Sequence, residues 1–388
     1  AGEIPSDTRP LRRTPVVAVF EDWKDSVVFV TGPIVKADKR SPAEFFATAQ
    51  RGPRENTVGT GFVIHESGYL VTNAHGVEKT VAPEVIFADR SRKDAELVAL
   101  LHGQDLALLK VPGNRPLKPV RLAQSGDLMI GETVIVIANP HGLRNTCTSG
   151  VLSATGRATH LADVPGVTLQ DMIQSDAGIN PGSSGGPWYN VAGEVMGMTA
   201  SMKKDAENIA FAVSAATLRK MLPRMLDVER RYRITTGLEV AADGPCEVKA
   251  VQPDSPAAKA GVRRGDVLAE VGGRATPTSL DFHLALIGRK AGESLGIAIL
   301  RDGQRSKGSL TSSGRPQLDP KLTLRQKLGV EAVPLEKAKA EAMGLRVSRG
   351  LLITSLAPAM YGKVEHPPQP GDVLARIAAR LPPGAQLL

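Results

Sequence analysis

"DAGINPGSSGGPWYN", residues 176–190, sets two adjacent serines, Ser183 and Ser184, inside a run of glycines. Such a run suits a loose linker, a phosphate-cradling turn or the elbow of a hydrolase. Gly182-Ser183-Ser184-Gly185-Gly186 satisfies the G-x-S-x-G pattern, whose enzymes need a strand before the serine, a helix after it, and their acid and histidine downstream. Here Pro187 arrives three residues after Ser184 and the apolar pattern beyond it reads as a strand. Downstream lie only His283 and His366, both in what read as later modules. The elbow reading fails on order.

A serine hydroxyl is a poor nucleophile until a base removes its proton. Histidine, with an ordinary pKa near 6.5, is the usual base, and a carboxylate fixes its tautomer. Upstream, "LVTNAH" ends a strand pattern at His75 and "HGQDLALLKV" opens one at Asp105. Taken singly, each is an ordinary polar residue at a strand boundary. The order His75, Asp105, Ser184 is that of chymotrypsin-like proteases. With that geometry Ser184 is the nucleophile, because Gly182 sits two positions before it. The N–H groups of Gly182 and Ser184 then converge as an oxyanion hole, and Ser183 is a spacer whose own N–H completes the turn.

The surrounding chain fits a mainly β protein. "VVAVF" (16–20), "SVVFV" (26–30), "GTGFVIHESGYLVTNAH" (59–75), "AELVALL" (95–101), "LALLKV" (106–111), "TVIVIANP" (133–140) and "GEVMGMTAS" (193–201) read as short strands between polar turns. Many short strands at regular spacing predict a barrel or sandwich. "SAATLRKMLPRML" (214–226) reads as the first convincing helix, with Ser214 as its N-cap. With 388 residues the chain exceeds a single core. The net charge of +8 comes from scattered basic residues, which argues for a solvated surface and against nucleic-acid binding. Two distant cysteines, Cys147 and Cys246, argue against a structural disulfide and cannot make a zinc site, and no metal or cofactor is expected. No apolar run approaches the roughly 18 residues of a transmembrane helix. The opening residue, Ala1, fits an exported, processed chain and a trimmed one equally.

Beyond residue 233 one pattern occurs twice. "AVQPDSPAAKAGVRRGDVLAEVGG" (250–273) is echoed by "ITSLAPAMYGKVEHPPQPGDVLARIA" (353–378). Each copy follows an apolar glycine turn, "TTGLEV" (235–240) or "KLGVEAV" (327–333), so two copies of one small module are expected.

Together "GTGFVIHESGYLVTNAH", "DLALLKV", "TSGVLSATGR" and "IQSDAGINPGSSGGP" resemble the protease domain of the HtrA/DegP family, and the repeats resemble its PDZ domains. The resemblance implies a chymotrypsin-like double β-barrel over 1–228, a first PDZ-like α+β domain over 234–315, and a second, incomplete one over 324–388. It implies an ATP-independent serine endopeptidase of protein quality control that cleaves unfolded or damaged proteins, some members acting also as chaperones. It implies a homotrimer or higher oligomer and an extracytoplasmic setting: a bacterial periplasm, the outside of the cell or an organelle lumen. The irregular 31–58 segment matches the family's regulatory loop, and 142–150, 155–166 and 198–211 match its activation-sensing and pocket loops.

Within that resemblance Ile179 and Met198 line the primary specificity pocket. No acid stands at the pocket positions, so small or medium apolar side chains are the expected P1 residues. In the first module Thr236-Gly237-Leu238-Glu239 is the peptide-binding loop and "SLDFHLALIG" (279–288) the groove helix; in the second the loop is Leu328-Gly329-Val330. A PDZ domain adds a peptide's C-terminal strand to its own sheet, with loop amides holding the carboxylate. Two positions depart from the family pattern: Ser183 where Asn is usual, and Gly76 where Val is usual. A PDZ-bearing chaperone or scaffold with a resting protease domain is the alternative reading.

Overall fold

Strand alternation dominates the N-terminal half of the computed structural model, which describes residues 8–33, 56–78, 80, 82–113, 116–124, 126–160, 168–202, 207–242, 244–315, 329–336, 351–356 and 373–374. Most of the expected regulatory loop (34–55) and parts of the sensing and pocket loops (161–167 and 203–206) lie outside the described residues, as do Leu328 and His366. The chain divides into two compact units, residues 1–315 and 316–388.

The first sheet uses β1 (Val27–Pro33), β2 (Asn56–His65), β3 (Tyr69–Thr72), β4 (Glu84–Ile86), β5 (Arg92–Asp94), β6 (Glu96–Leu101) and β7 (Leu106–Lys110). Their order is β5-β4-β1-β2-β3-β7-β6. Val28, Val63, Leu70 and Leu109 fill one side, while Val27, Phe62, Val71 and Leu108 fill the other. That is the two-residue period of a sheet buried on both faces. The "HESG" turn joins β2 to β3, Gly68 N–H closing it on the His65 carbonyl at 3.0 Å.

The second sheet contains β8 (Arg121–Leu122), β9 (Thr133–Ala138), β10 (Thr146–His160), β11 (Thr168–Ser175), β12 (Pro187–Tyr189), β13 (Glu194–Met202) and β14 (Ala210–Ser214). Its order is β12-β9-β10-β11-β14-β13-β8, and β12 also pairs with β13, so six strands close into a barrel with β8 attached in parallel.

One expectation is corrected. After a short turn of helix, α1 (Arg9–Arg12), residues 16–20 belong to a helix, α2 (Pro15–Trp23), not to a strand. Pro15 stands at the first helical position, where a missing N–H is harmless, and the Thr14 hydroxyl accepts from Val17 N–H. Val19 and Trp23 then face the core one turn apart, and the Trp23 ring stacks on Tyr189 at 6.0 Å. A run of five apolar residues carries too little periodicity to separate helix from strand.

A short helix in the first half, α3 (Ala74–Val77), carries the sequence just after β3. A two-helix link leads out of the second barrel: α4 (Ala215–Leu226), capped by the Ser214 hydroxyl, and α5 (Val228–Arg231). Beyond it, β15 (Ile234–Thr235), β16 (Leu238–Val240), β17 (Val248–Val251), β18 (Val267–Val271), β19 (Arg274–Ala275), β20 (Ser294–Arg301), β21 (Gln304–Thr311) and β22 (Ser313–Gly314) accompany α6 (Pro256–Lys259) and α7 (Ser279–Ala285). One apolar core runs through Met198, Leu218, Leu222, Met225, Val228, Ile234, Val248, Leu268 and Phe282. Arg219 braces the junction, donating from Nε to the Ala123 carbonyl (2.9 Å) and from Nη1 to Thr278 Oγ1 (2.9 Å). In the second unit β23 (Val330–Pro334), β24 (Leu351–Leu356) and β25 (Val373–Leu374) form an antiparallel sheet around Val330, Ala332 and Ile353.

Two histidines make the first unit acid-sensitive. Burial pushes His65 down to about 4, with Glu66 opposing and Arg274 and Lys110 reinforcing. Burial alone pushes His283 to about 4. Between about pH 6.5 and 4 the unfolded chain binds protons at these positions that the folded chain refuses. Stability therefore falls as the pH drops through that window and is flat above it for these groups. Denaturant midpoints measured from pH 7.5 to 4 are expected to drop, with a shallower slope in His65→Gln and His283→Gln.

Candidate active site

His75 and Asp105 are joined through both the ring and the backbone of the histidine. Asp105 follows a tight turn at His102–Gln104 and takes a left-handed conformation (φ 53°) that turns its carboxylate inward, where it is 1% exposed. Its Oδ2 accepts from His75 Nδ1 at 2.8 Å, and its Oδ1 accepts from the His75 backbone N–H at 2.9 Å. One carboxylate thus fixes both the ring and the main chain of the same histidine. The Asp105 carbonyl in turn accepts from Ala74 N–H at 3.1 Å, which seats α3.

Asn73 completes this cluster, a residue that no sequence motif nominates. Its Nδ2 donates to Asp105 Oδ2 (2.9 Å) and to the Asp105 carbonyl (3.2 Å), so the buried carboxylate receives three hydrogen bonds. A buried carboxylate with that many donors is held in one position. Its one sequence signal is its position two residues before His75 in "LVTNAH".

The serine loop comes from the second barrel and docks onto β2. Thr60 N–H donates to the Ser184 carbonyl at 2.8 Å. Thr60 Oγ1 donates to the Gly182 carbonyl at 2.8 Å and accepts from Asn139 N–H at 2.9 Å. The Thr60 carbonyl accepts from Thr72 Oγ1 at 2.6 Å, linking β2 to the end of β3 just before His75. Gly185, at φ 84°, passes so close that a Cβ there would collide with the Thr60 carbonyl oxygen. Only glycine allows that approach.

Ser183 folds back on its own turn, its N–H donating to Asn180 O at 2.8 Å and its Oγ accepting from Asn180 N–H at 3.2 Å. The hydroxyl therefore closes the loop that presents Gly182 and Ser184. A Cβ added at Gly76 would meet nothing within 4 Å, so space does not demand glycine there. Ile179 is half-buried against the group containing Ala138 and Trp188, whereas Met198 is fully buried in the larger core beside Met172 and Val213. The two belong to separate apolar groups. Gly237 (φ 75°) lies in the tight turn between β15 and β16, Leu238 opens β16, and Gly329 (φ 58°) immediately precedes β23 in the second unit. Among the described residues no cluster of three or more metal-ligating side chains occurs.

The trypsin-like peptidase domain profile matches residues 59–198, spanning His75, Asp105 and Ser184, and the PDZ domain profile matches residues 247–301. A probable periplasmic DegP-like serine endoprotease of Pseudomonas fluorescens is 30% identical over 357 residues, covering 84% of this chain and 72% of its own. The chain belongs to the HtrA/DegP family of serine endoproteases. The serine protease HhoB of Synechocystis, itself described as putative in that role, is 35% identical over 274 residues, 65% of each chain. A probable periplasmic DegP-like serine endoprotease of Brucella suis is 32% identical over 300 residues, covering 72% of this chain and 56% of its own. The chain therefore covers less than two thirds of some HtrA/DegP relatives. Among solved structures, the serine endoprotease from Yersinia pestis is similar at 27% identity, covering 81% of this chain and all of its own, with a TM-score of 0.44.

Two substitutions separate the cluster's parts. Asp105→Asn preserves shape but removes the charge that orients His75, and a loss of about 10³–10⁴-fold in kcat for casein cleavage is expected. Thr60→Val keeps the volume but leaves the Gly182 carbonyl and Asn139 N–H without their partner, for an expected loss of about 1–3 kcal/mol in stability. Its turnover should fall at least about tenfold with KM little changed, as urea melts and steady-state kinetics would reveal.

Proposed function

We propose that this chain is an ATP-independent endopeptidase of protein quality control, using His75, Asp105 and Ser184 as its triad. The observation that carries the reading is the pair of hydrogen bonds that one buried carboxylate accepts from the ring and the backbone N–H of His75. In this mechanism His75 takes the Ser184 proton as Oγ bonds to the scissile carbonyl carbon. The carbonyl electron pair moves onto oxygen, which lies against the N–H groups of Gly182 and Ser184. Collapse breaks the C–N bond while His75 returns the proton to the leaving amine, and water then repeats the sequence on the acyl-enzyme.

Ile179 is the pocket residue a substrate side chain meets, whereas Met198 is fully buried in a separate apolar group. Neither carries charge, so small or medium apolar P1 residues are favoured. A peptide-library profile should show Val, Ala or Leu at P1; a preference for Arg or Lys would overturn the pocket assignment. The first PDZ-like module, through Gly237 and Leu238, takes peptide termini, and Gly329 marks the corresponding turn in the second. Action outside the cytoplasm agrees with the periplasmic naming of the Pseudomonas and Brucella relatives, and a homotrimer or higher oligomer with unfolded proteins as substrates completes the proposal. No helix among the described residues is long and apolar enough to cross a membrane.

The decisive comparison is casein degradation by the wild type and by Ser184→Ala, each with and without an apolar C-terminal peptide. Degradation abolished by the substitution supports the protease. Equal suppression of aggregation by both proteins, with cleavage by neither, supports a chaperone or scaffold instead.

A further inference from the structure

The turn between β15 and β16 already holds a carboxylate, and it is the chain's own. Glu229, on α5, places Oε1 2.8 Å from Thr236 N–H and 2.6 Å from Thr236 Oγ1, while its Oε2 accepts from Thr235 Oγ1 at 3.4 Å. The next two amides are engaged through the same hydroxyls. Gly237 N–H donates to Thr235 Oγ1 (3.2 Å) and Leu238 N–H to Thr236 Oγ1 (3.3 Å). Three consecutive N–H groups thus point, directly or through one hydroxyl, at a single negative charge.

The receptor is rigid. A Cβ on Gly237 would collide with Ser255 Cβ, so the loop is pressed against the start of α6. Ala257 N–H donates to the Thr236 carbonyl (2.9 Å) and Gln252 N–H to the Gly237 carbonyl (2.8 Å), which fixes the peptide planes that aim the amides. An arrangement of successive N–H groups and hydroxyls around one anion is chemically matched to a carboxylate. No lysine or arginine is needed.

We propose that Glu229 is a resident stand-in for a peptide's C-terminal carboxylate at the Thr235–Leu238 turn, a latch that an incoming terminus must displace. The proposal rests on reading this turn as the peptide-binding loop of the first PDZ-like module. Only the fraction of molecules with Glu229 withdrawn is competent to bind, so the latch weakens apparent affinity by that fraction. Because Glu229 sits on the link between α4 and β15, its withdrawal is a local movement of α5, between the protease barrel and the module.

The test is fluorescence anisotropy on the full chain, using a labelled decapeptide with an apolar C-terminal residue and a free carboxylate, beside the same peptide amidated. Wild type, Glu229→Ala and Glu229→Gln are compared, after thermal melts establish which variants are folded. Glu229→Ala is expected to bind the free-acid peptide at least about tenfold more tightly than wild type, about 1.4 kcal/mol. Glu229→Gln, which keeps an acceptor but not the charge, should fall between them and carries the test if the alanine variant does not fold. The amidated peptide should stay weak throughout. Equal free-acid affinity in all folded variants would overturn the latch while leaving the loop a carboxylate receptor. Failure of every variant to prefer the free acid over the amide would overturn the receptor reading and the latch with it.

Discussion

Thr60 is the point at which the first sheet grips the second barrel. Its amide and hydroxyl hold the Ser184 and Gly182 carbonyls, and its own carbonyl takes the Thr72 hydroxyl. The loop carrying Ser184 comes from the second barrel, whereas His75 follows β3 of the first sheet, and the fully buried Thr60 ties that loop to β2. The neighbouring glycines follow from it, since Gly185 can lie against β2 only without a side chain.

Asn139 extends this brace. Its backbone N–H meets Thr60, its Nδ2 reaches the Val28 carbonyl at 3.0 Å, and its Oδ1 accepts from Asn145 N–H at 3.1 Å. One buried amide therefore ties β1, β2 and the loop after β9 together. Polar networks of this type specify geometry more than they add stability, because every member must be satisfied or the whole cluster becomes costly.

Much of this is legible in the sequence, and what is not has definite reasons. Residue types and chain order nominate His75, Asp105 and Ser184, because nucleophilic chemistry restricts which side chains can follow one another. Thr60 and Asn73 act through backbone partners distant in sequence, and no spacing rule encodes such partners. The alternation Gly59-Thr60-Gly61 hints at close backbone approach without naming the neighbour. The helix at Pro15–Trp23 escapes because its apolar run is short and its Thr-Pro start is the only local signal. Register shifts along β13 place Met198 in a different packing group from Ile179, an effect that a two-residue period read from sequence cannot contain. Glu229 lies in the charged stretch DVERRYR (227–233), and only the fold brings it to the turn at Thr236.

The unbroken core through α4 and α5 makes the connection between barrel and module a shared wall instead of a tether. Leu222, Met225 and Val228 belong to the same buried group as Met198 of the barrel and Val248, Leu268 and Phe282 of the module. Separating the two bodies would wet these side chains together, so rigid tumbling of the pair in solution, and a common fate under mechanical load, follow from the same few apolar residues.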